Sequence, residues 1–500
     1  MRLSLCTILL FLSLCPLCAD TWFVGFTNKN GTSGSLDKPS EYLSQRALLR
    51  RQAQGIGIDS ADLPVSRPYL DSLTRKGATV VYTTKWLNGA VVTVSDLETL
   101  QGIRALDFVD TMQCTKHDTL KTASVRRHKL PQWLSADPQP ELTAAAADEY
   151  KTMLGLDSLH TLGFHGQGKM ISILDNGFHL VNNLPVFSNA KENIVFTCNL
   201  VNQGGSVYDS GTHGAMVFSL IAGVKEDTLT GTATAAEYCL FSTEDDNSES
   251  LLEPDNMIRA FELADSVGTD IISVSLGYYD FDNTLTDLTY MNMDGKTARC
   301  SMAATIAASK GILLCVAAGN EGSKPWHYID APADADNILT VGGVDINRQH
   351  STFSSFGPTA DGRVKPDVCT LGTAVPILYP FTFVRHNGTS FATPIMAGAA
   401  ASLWSALHEL TAMQLRERIL QYSDRYLTPD SAFGYGIPNL IDAYYDRPTA
   451  LPTLHSNPGS ECLIFDIQGN SRGNVLNDIN HLEKGIYIIR QGENVRKIIK

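Results

Sequence analysis

Four short polar segments of this 500-residue sequence carry the kinds of side chain that acyl transfer requires. Asp175 ends the apolar run KMISILD, His213 lies in SGTHG, Asn320 follows VAAG, and Ser390 opens the apolar stretch SFATPIMAGAAASLWSAL. A serine hydroxyl becomes nucleophilic beside an imidazole, a buried carboxylate fixes the imidazole tautomer, and N–H donors stabilise the oxyanion. Each segment alone is weak evidence. Together, in the order Asp, His, Ser, they match one of the chain orders in which such triads occur.

The segments between these residues predict how the chain would bring them together. Short runs rich in Ile, Val and Leu alternate with helix-like stretches; the runs are KMISILD, EYCLFST, DIISVSLG, GILLCVAAG and NILTVGGVD. This alternation predicts a mostly parallel sheet with helices on both faces. Because strand ends and helix starts meet at one edge of such a sheet, we expect the four groups to converge there. Pro394 and the polar residues before Ser390 favour a buried helix over a membrane span for the last stretch.

The motifs around these residues resemble the signatures of the subtilisin-like (subtilase) serine proteases. The matching segments are SILDNGF, SGTHGAMV, VAAGNEG and NGTSFATPIMAGAAA, with SVSLG and TFSSFGPTADGRVKPDV between them. The resemblance covers residues 148–445 and implies an α/β catalytic domain with three α/β/α layers. It implies that Asp175 orients the ring of His213, which acts as general base and then acid. Ser390 would be the nucleophile, and Asn320 would donate to the oxyanion beside the Ser390 N–H.

The resemblance also implies a substrate-binding cleft for extended polypeptides. Two wall segments would flank the side chain before the scissile bond; they are Ser275, Leu276 and Gly277, and Ala317, Ala318 and Gly319. The first segment would also pair with the substrate as an added strand. Since neither segment contains a charged group, the sequence favours large apolar or aromatic residues at that position of the substrate.

The sequence departs from the family pattern at a few positions near these motifs. Asn176 stands where Ser or Thr is more usual, Ser210 where a His often precedes Gly-Thr-His, and Gly214 where Val is usual. Thr370-Leu371 replace the Ala-Pro expected before Gly372. None of these departures removes a predicted catalytic group.

Two alternatives to this function remain open at the level of the sequence. A sedolisin-like acid protease shares a GTS nucleophile on a similar fold, but it uses a carboxylate base and an Asp in the oxyanion hole. In this sequence His213 stands at the position of the base, and Asn320 stands at the position of the oxyanion-hole Asp. The second alternative is a catalytically inactive surface binding protein on a protease scaffold, against which the intact set of four residues argues.

Composition excludes several other classes of protein. The formal net charge of −14 argues against a nucleic-acid-binding protein. The content of 43% hydrophobic residues argues against a disordered chain. The cysteines show no regular spacing, so we predict no metal site and no cofactor. Structural Ca²⁺ at Glu244-Asp245-Asp246 or Asp280-x-Asp282 is a possibility, but no complete ligand loop is readable and solvated loops are expected.

The N-terminal part reads as a targeting segment followed by a separate small domain. Residues 1–19 have the basic start, short apolar run and final Ala of a secretory signal peptide, so we expect export and no transmembrane anchor. Residues 20–114 alternate strands and helices as in a ferredoxin-like α+β module, and they resemble the pro-regions of secreted bacteroidete subtilases. The resemblance implies that this pro-region assists folding and temporarily inhibits the enzyme, with residues 115–147 as linker and processing region. The alternative is a permanently attached accessory domain. Arg50-Arg51 is interpreted as a solvated helix face.

The C-terminal part reads as a second linker and a small β module. Residues 446–460 are Pro-rich, and residues 461–500 contain three strand-like runs, ECLIFDIQG, GIYIIRQG and ENVRKIIK. The last segment resembles the sorting domains of the type IX secretion pathway, which implies that pathway's machinery as a partner. The alternative is a small β module that only packs on the protease. We therefore expect an extracellular or cell-surface protein, or a periplasmic one if the tail is not a sorting signal.

Overall fold

The computed structural model describes residues 19–117, 148–225, 229–379, 382–446, 462–466, 470–474, 486–491 and 494–499. Most of the predicted signal peptide and of both predicted linkers lies outside these residues. The chain divides into two compact units between residues 449 and 450. No helix in the described part of the chain has both the length and the apolarity of a membrane span.

The N-terminal part of the first unit is a small α+β fold with its own apolar core. Its elements are β1 (Asp20–Phe26), α1 (Gln45–Ala53), α2 (Arg67–Arg75), β2 (Thr79–Thr84), β3 (Gly89–Val94), α3 (Leu97–Arg104) and β4 (Val109–Lys116). The strands form an antiparallel sheet in the order β2-β3-β1-β4, with helices after β1 and after β3. This is the strand-and-helix order that the sequence predicts. However, β4 continues past Met112 into the predicted linker, because Cys114 and Lys116 remain paired with β1.

The larger part of the first unit contains a parallel sheet and the helices that cover it. Its elements are α4 (Glu149–Leu154), α5 (Leu156–Thr161), β5 (Met170–Asp175), β6 (Ile194–Asn199), α6 (Thr212–Ala222), β7 (Val224–Lys225), β8 (Leu229–Thr230), β9 (Glu237–Ser242), α7 (Leu252–Val267), β10 (Ile271–Val274), α8 (Arg299–Ser309), β11 (Leu313–Ala317), β12 (Leu339–Val344), β13 (Val368–Leu371), β14 (Val375–Leu378), β15 (Phe383–His386), α9 (Thr389–Ala406), α10 (Ala412–Gln421) and α11 (Leu440–Tyr445).

Seven of the described strands form one parallel sheet in the order β13-β12-β11-β10-β5-β9-β6. Alternate residues of each strand enter different cores, because successive side chains point to opposite faces. Ile171 and Ile173 of β5 pack with α6 and α9, whereas Met170 and Leu174 pack with α7 and α8. The predicted three-layer α/β/α architecture is therefore confirmed, as is the buried position of α9. The outer strands β6 and β13 were not predicted, since neither carries a long run of Ile, Val and Leu.

The second unit contains an antiparallel sheet of four described strands. They are β16 (Cys462–Asp466), β17 (Ser471–Asn474), β18 (Ile486–Gln491) and β19 (Asn494–Ile499), in the order β17-β16-β18-β19. Strands β16, β18 and β19 correspond to the three predicted runs. The sequence SRGN of β17 falls instead in the predicted polar turn region. Pairing with β16 and an ion pair between Arg472 and Asp466 at 2.8 Å hold it in the sheet.

A buried cluster of charges joins the N-terminal fold to α7. The interpretation of Arg50 and Arg51 as a solvated helix face is wrong, because both side chains are buried. Arg50 Nη2 lies 2.6 Å from Asp265 Oδ1, and Arg51 Nη2 lies 2.7 Å from Asp265 Oδ2. Burial by itself would raise the pKa of Asp265, but the charges of Lys85, Arg50 and Arg51 hold it below its usual value. The carboxylate therefore remains ionised within this contact.

A second set of contacts lies along the β2–β3 hairpin and the end of β4. Glu262 Oε1 accepts hydrogen bonds from Thr84 Oγ1 at 2.5 Å and from the main-chain N–H of Trp86 at 2.9 Å. The Trp86 side chain joins the core formed by α7 and α8. At the end of β4, Lys116 Nζ lies 3.0 Å from Asp245 Oδ2. The N-terminal fold thus docks against the α7–α8 face through apolar, neutral and charged contacts together.

We predict that Asp265→Ala strongly weakens this docking. The substitution leaves two buried arginines without their shared carboxylate, and breaking a buried ion pair typically costs about 3–5 kcal/mol. Urea unfolding of the full chain should show a loss of that order. The control Asp71→Ala removes an exposed partner of Arg67 and should cost no more than about 1 kcal/mol.

An equal effect of the two substitutions would contradict this account of the interface. The pH dependence gives a second check. Because the pKa of Asp265 is depressed, its contribution to stability is present above the usual aspartate value of about 3.9. It should be lost as the pH falls through the depressed value.

Candidate active site

The end of β5 and the start of α6 approach closely enough to bring Asp175 to His213. Gly211, which precedes α6, has a φ of +80°, and a Cβ on it would lie 2.4 Å from Gly177 Cα. A Cβ on Gly214 would lie 2.2 Å from the Gly177 carbonyl oxygen and 2.9 Å from Asp175 Cβ. The first turn of α6 can rest on the strand end only because these positions are glycines. The departure at position 214, Gly in place of Val, is therefore required by this packing.

The aspartate and the histidine form a short, buried hydrogen bond. His213 Nδ1 lies 2.8 Å from Asp175 Oδ1, which also accepts from the main-chain N–H of Asn176 at 2.8 Å. Asp175 is fully buried, and the His213 side chain is 12% exposed. Burial alone would lower the pKa of His213, but the charge and hydrogen bond of Asp175, with a smaller contribution from Asp246, raise it above the usual value. The site thus favours a cationic imidazole more strongly than water does.

Asn176 also fits this environment. Its Oδ1 accepts a hydrogen bond from the Gly214 N–H at 3.3 Å, and its Nδ2 donates to Asp246 Oδ1 at 3.0 Å. The side chain therefore ties the strand end to the first turn of α6 and positions the acidic group that acts on His213. The sequence alone shows the departure at this position but not its partner, because Asp246 lies 70 residues further along the chain.

Ser390 lies in the first turn of α9 and is tied to Ser275, just after β10. Ser390 Oγ donates to the Ser275 carbonyl at 3.2 Å, and Ser275 Oγ donates to the Ser390 carbonyl at 2.8 Å. Pro394 explains the second bond: it has no N–H, so the Ser390 carbonyl lacks the donor that a helix normally supplies four residues later. The neighbouring Phe391 ring has its centroid 5.6 Å from that of His213. The start of α9 is thus held at the same sheet edge as the Asp175–His213 pair.

Asn320 follows β11 and is oriented by the same first turn of α9. Its Oδ1 accepts from the Thr389 main-chain N–H at 2.9 Å and from Thr389 Oγ1 at 3.1 Å. Thr389 Oγ1 also lies 3.2 Å from the Gly319 carbonyl oxygen. Since the oxygen of the Asn320 amide is occupied by α9, its NH₂ group is the part left to act as a donor. The Thr389 contacts were not anticipated from the sequence.

The two predicted wall segments follow neighbouring parallel strands. Ser275, Leu276 and Gly277 follow β10, whereas Ala317 ends β11 and Ala318 and Gly319 follow it. Ser275, Ala317 and Ala318 are buried, Leu276 is half-buried, and Gly277 is exposed. Tyr278 N donates to the Ala331 carbonyl at 2.8 Å, which places the loop after β11 beside the first segment. This loop brings in an acidic residue, Asp330, which the sequence analysis did not single out.

The acidic residues considered for Ca²⁺ are bound by protein groups. Glu244 accepts from Tyr278 at 2.7 Å, and burial raises the pKa of Glu244 to about 7. Asp245 pairs with Lys116, and Asp282 Oδ2 accepts from the Glu249 N–H at 3.0 Å. Within the described residues, the group with metal-ligand spacing is Asp20, Cys114 and His117. That group lies in the N-terminal fold and not among the four predicted catalytic residues.

Comparison with known proteins identifies relatives for both folds of the first unit. A sequence model of the subtilase family matches residues 166–436, and one of the peptidase S8 propeptide domain of Bacteroidota matches residues 21–130. Subtilisin DY of Bacillus licheniformis is 29% identical over 270 residues, which cover 53% of this chain and 88% of that protein. The thermostable alkaline protease of Halalkalibacterium halodurans is 28% identical over 288 residues, 57% of this chain and 70% of that protein. The solved MycP3 protease from the type VII (ESX-3) secretion system has 19% identity and a TM-score of 0.48, covering 62% of this chain and 90% of its own.

We predict that Ser275→Ala destabilises the start of α9. The substitution leaves the Ser390 carbonyl without the donor that replaces the missing Pro394 N–H, and an unsatisfied buried group costs about 1–3 kcal/mol. Thermal unfolding should show this loss. The matched control is Ser219→Ala, a buried serine whose acceptor, the Met216 carbonyl, lies inside α6 and keeps its helical N–H donor. Equal melting temperatures for the two variants would contradict the role given to Ser275.

Proposed function

This chain belongs to the subtilase family of serine endopeptidases, and on that premise we propose that it cleaves polypeptides through an acyl-enzyme formed on Ser390. The observation that carries the proposal is the 2.8 Å contact between His213 and the buried Asp175, at the sheet edge where α9 presents Ser390. A hydroxyl at a helix start, an oriented imidazole and a buried carboxylate are the parts that nucleophilic acyl transfer needs.

In the first half of the proposed reaction, Ser390 attacks the substrate carbonyl carbon. Rotation about the Cα–Cβ bond moves its Oγ from the Ser275 carbonyl towards the imidazole, and His213 Nε2 takes the proton as the C–O bond forms. Asp175 keeps the other proton on Nδ1 and stabilises the imidazolium. The raised pKa of His213 favours this protonated state. His213 then gives the proton to the leaving amine as the C–N bond breaks.

In the second half, water replaces the amine and the same groups act in reverse. His213 takes a proton from water, the hydroxide attacks the acyl carbon, and Ser390 leaves with the proton returned by His213. In both halves the negative oxygen lies between the Ser390 N–H and the Asn320 NH₂ group. Its stabilisation is aided by the positive end of α9. No cofactor enters this scheme, because the side chains supply every proton transfer.

The substrate in this proposal is an extended polypeptide that runs along Ser275–Gly277. That segment continues β10, and Gly277 is exposed, so a substrate strand can add to it through main-chain hydrogen bonds. Ala317, Ala318 and Gly319 form the opposite wall for the side chain before the scissile bond. Small residues on this wall leave room for that side chain.

The family match does not support the acid-protease alternative, and the geometry does not favour it. A sedolisin-type mechanism needs a carboxylate as the base, whereas His213 holds the hydrogen bond to Asp175 here. A catalytically inactive scaffold has no need for a buried, polarised imidazole near a helix-start serine. Both alternatives predict no reaction of Ser390 with an active-site reagent at neutral pH.

We further propose that the N-terminal fold acts as an inhibitory pro-region. Its docking on α7 and α8 supports this role, as does its match to propeptide domains of Bacteroidota. The end of β4 brings the chain to Asp245, three residues after Ser242 at the end of β9, on the strand-end side of the sheet. Cleavage in residues 115–147 would separate this pro-region from the enzyme.

The proposed mechanism is tested by active-site labelling and two substitutions. A fluorophosphonate should label the chain at neutral pH, and Ser390→Ala should abolish labelling and lower peptide hydrolysis by several orders of magnitude. Asn320→Ala should still be labelled but should lose roughly 10²–10³ in kcat with little change in KM, because its donor serves the transition state. Normal turnover by the Ser390 variant would overturn the assignment. If Asn320→Ala changed KM alone, Asn320 would only bind substrate and would not stabilise the transition state.

Export and C-terminal sorting complete the proposal. The apolar N-terminus and the pro-region support export, and the second unit supports an extracellular or surface destination through type IX secretion machinery. We expect deletion of residues 461–500 to leave specific activity and melting temperature nearly unchanged but to retain the enzyme in the periplasm. The location of the full-length and the truncated enzyme is measured as protease activity in the culture medium, on intact cells and in periplasmic extract. A truncated enzyme that still reaches the surface would show that residues 461–500 are not a sorting signal.

A further inference from the structure

A buried carboxylate lies between the two wall segments of the proposed cleft. Asp330, in the loop between β11 and β12, is 5% exposed. Its main-chain N–H donates to the Ala318 carbonyl at 3.3 Å, so the wall itself fixes its position. A Cβ on Gly277 would lie 2.8 Å from Asp330 Cβ, and a Cβ on Gly319 would lie 2.3 Å from Asp330 Oδ2. The carboxyl group therefore faces both walls where each lacks a side chain.

The neighbouring acid has partners, whereas this carboxyl group lacks one. Glu321 binds Lys324 Nζ at 2.7 Å and Tyr279 Oη at 3.2 Å. Asp330 Oδ1, by contrast, is buried with no hydrogen-bond partner among the described residues. Burial and the charge of Glu321 raise the pKa of Asp330 well above its usual value. A buried carboxylate without a cation is unfavourable, so this position favours binding of a positively charged ligand group.

We propose that Asp330 is the specificity-determining residue of the cleft and selects Lys or Arg immediately before the scissile bond. The inference rests on the proposed function, because it assigns the substrate class of that same cleft. A lysine or arginine side chain entering between the glycines of the two walls supplies the cation that Asp330 lacks. An acidic group at the base of such a pocket is a known way to set this preference in serine proteases. The preference differs from the apolar one that the wall segments alone suggest.

The chain's own processing region is compatible with this preference. Residues 115–147 include the stretch KHDTLKTASVRRHKLPQ, which offers several lysines and arginines before the predicted catalytic domain. The excess of negative charge around Asp330 also favours a substrate with Lys or Arg before the scissile bond. Glu321 and Asp280 add negative charge near Asp330, and Lys324 is the cation that opposes them.

The test compares peptide substrates that differ in one residue only. Peptide p-nitroanilides with Arg, Lys, citrulline, norleucine or Phe before the scissile bond are assayed with the full chain after activation by a Glu-specific protease. Citrulline and norleucine match Arg and Lys in shape but carry no charge. We expect kcat/KM to be roughly 10²-fold or more higher for Arg than for citrulline, and for Lys than for norleucine. Active sites are counted by fluorophosphonate labelling in every sample.

Two variants separate Asp330 from the general charge of the cleft. Asp330→Asn keeps the shape of the side chain, removes its charge and should remove most of the Arg-over-citrulline ratio. Asp280→Asn removes a nearby acid and should leave the ratio largely intact. If the Asn variant melts early or loses labelling, Asp330→Ser is measured in its place. Binding of benzamidine, measured by titration calorimetry, should be lost in the Asp330 variant and provides a readout independent of turnover.

The outcomes distinguish this inference from the function on which it rests. A labelled enzyme that cleaves after citrulline as well as after Arg, or that prefers Phe, overturns the role of Asp330 and leaves the protease assignment intact. An Arg preference that survives in a folded, labelled Asp330 variant also overturns it. A chain that is neither labelled nor active on any substrate overturns the proposed function, and the specificity with it.

Discussion

The proposed active site at the edge of the parallel sheet depends on how closely the end of β5 and the start of α6 can approach each other. Main-chain atoms of Gly177 lie where side chains at 211 and 214 would otherwise stand, and this contact places His213 against Asp175. Because Asp175 is fully buried, its charge is expensive without partners. The imidazole and the Asn176 N–H provide them. The backbone contact therefore determines both the position of the imidazole and the direction in which its pKa moves.

The same principle, that burial demands a partner, explains several features that lie far apart in the sequence. Pro394 removes a helical donor from the Ser390 carbonyl, and Ser275 replaces it, which couples α9 to the end of β10. Asp265 is buried beneath the N-terminal fold, and cations from that fold surround it. Asp330 Oδ1 is among the buried side-chain atoms that have no hydrogen-bond partner in the described part of the chain, and in our proposal its partner arrives with the substrate.

These couplings also connect the pro-region to the enzyme it covers. Arg50 and Arg51 make their ion pairs with a helix of the catalytic fold, so separating the folds leaves charges of both signs to be resolvated. Water can supply that solvation once the surfaces part, whereas removing one partner within the docked state cannot be compensated. The contact is thus specific to the matched pair of surfaces. At neutral pH the depressed pKa of Asp265 keeps the contact fully charged.

The sequence by itself determined the three-layer architecture, the family and the residues proposed for catalysis, because these depend on local patterns. Apolar strand runs alternate with helices, and each polar group stands beside a glycine or a helix start. Sequence alone placed Arg50 and Arg51 in solvent, missed the outer strands β6 and β13, and gave no reason for Gly214 or Asn176. It also offered no charge for the cleft, since Asp330 stands outside both wall segments. Each of these features depends on a partner distant in the chain, and only the tertiary structure decides which groups share a buried space.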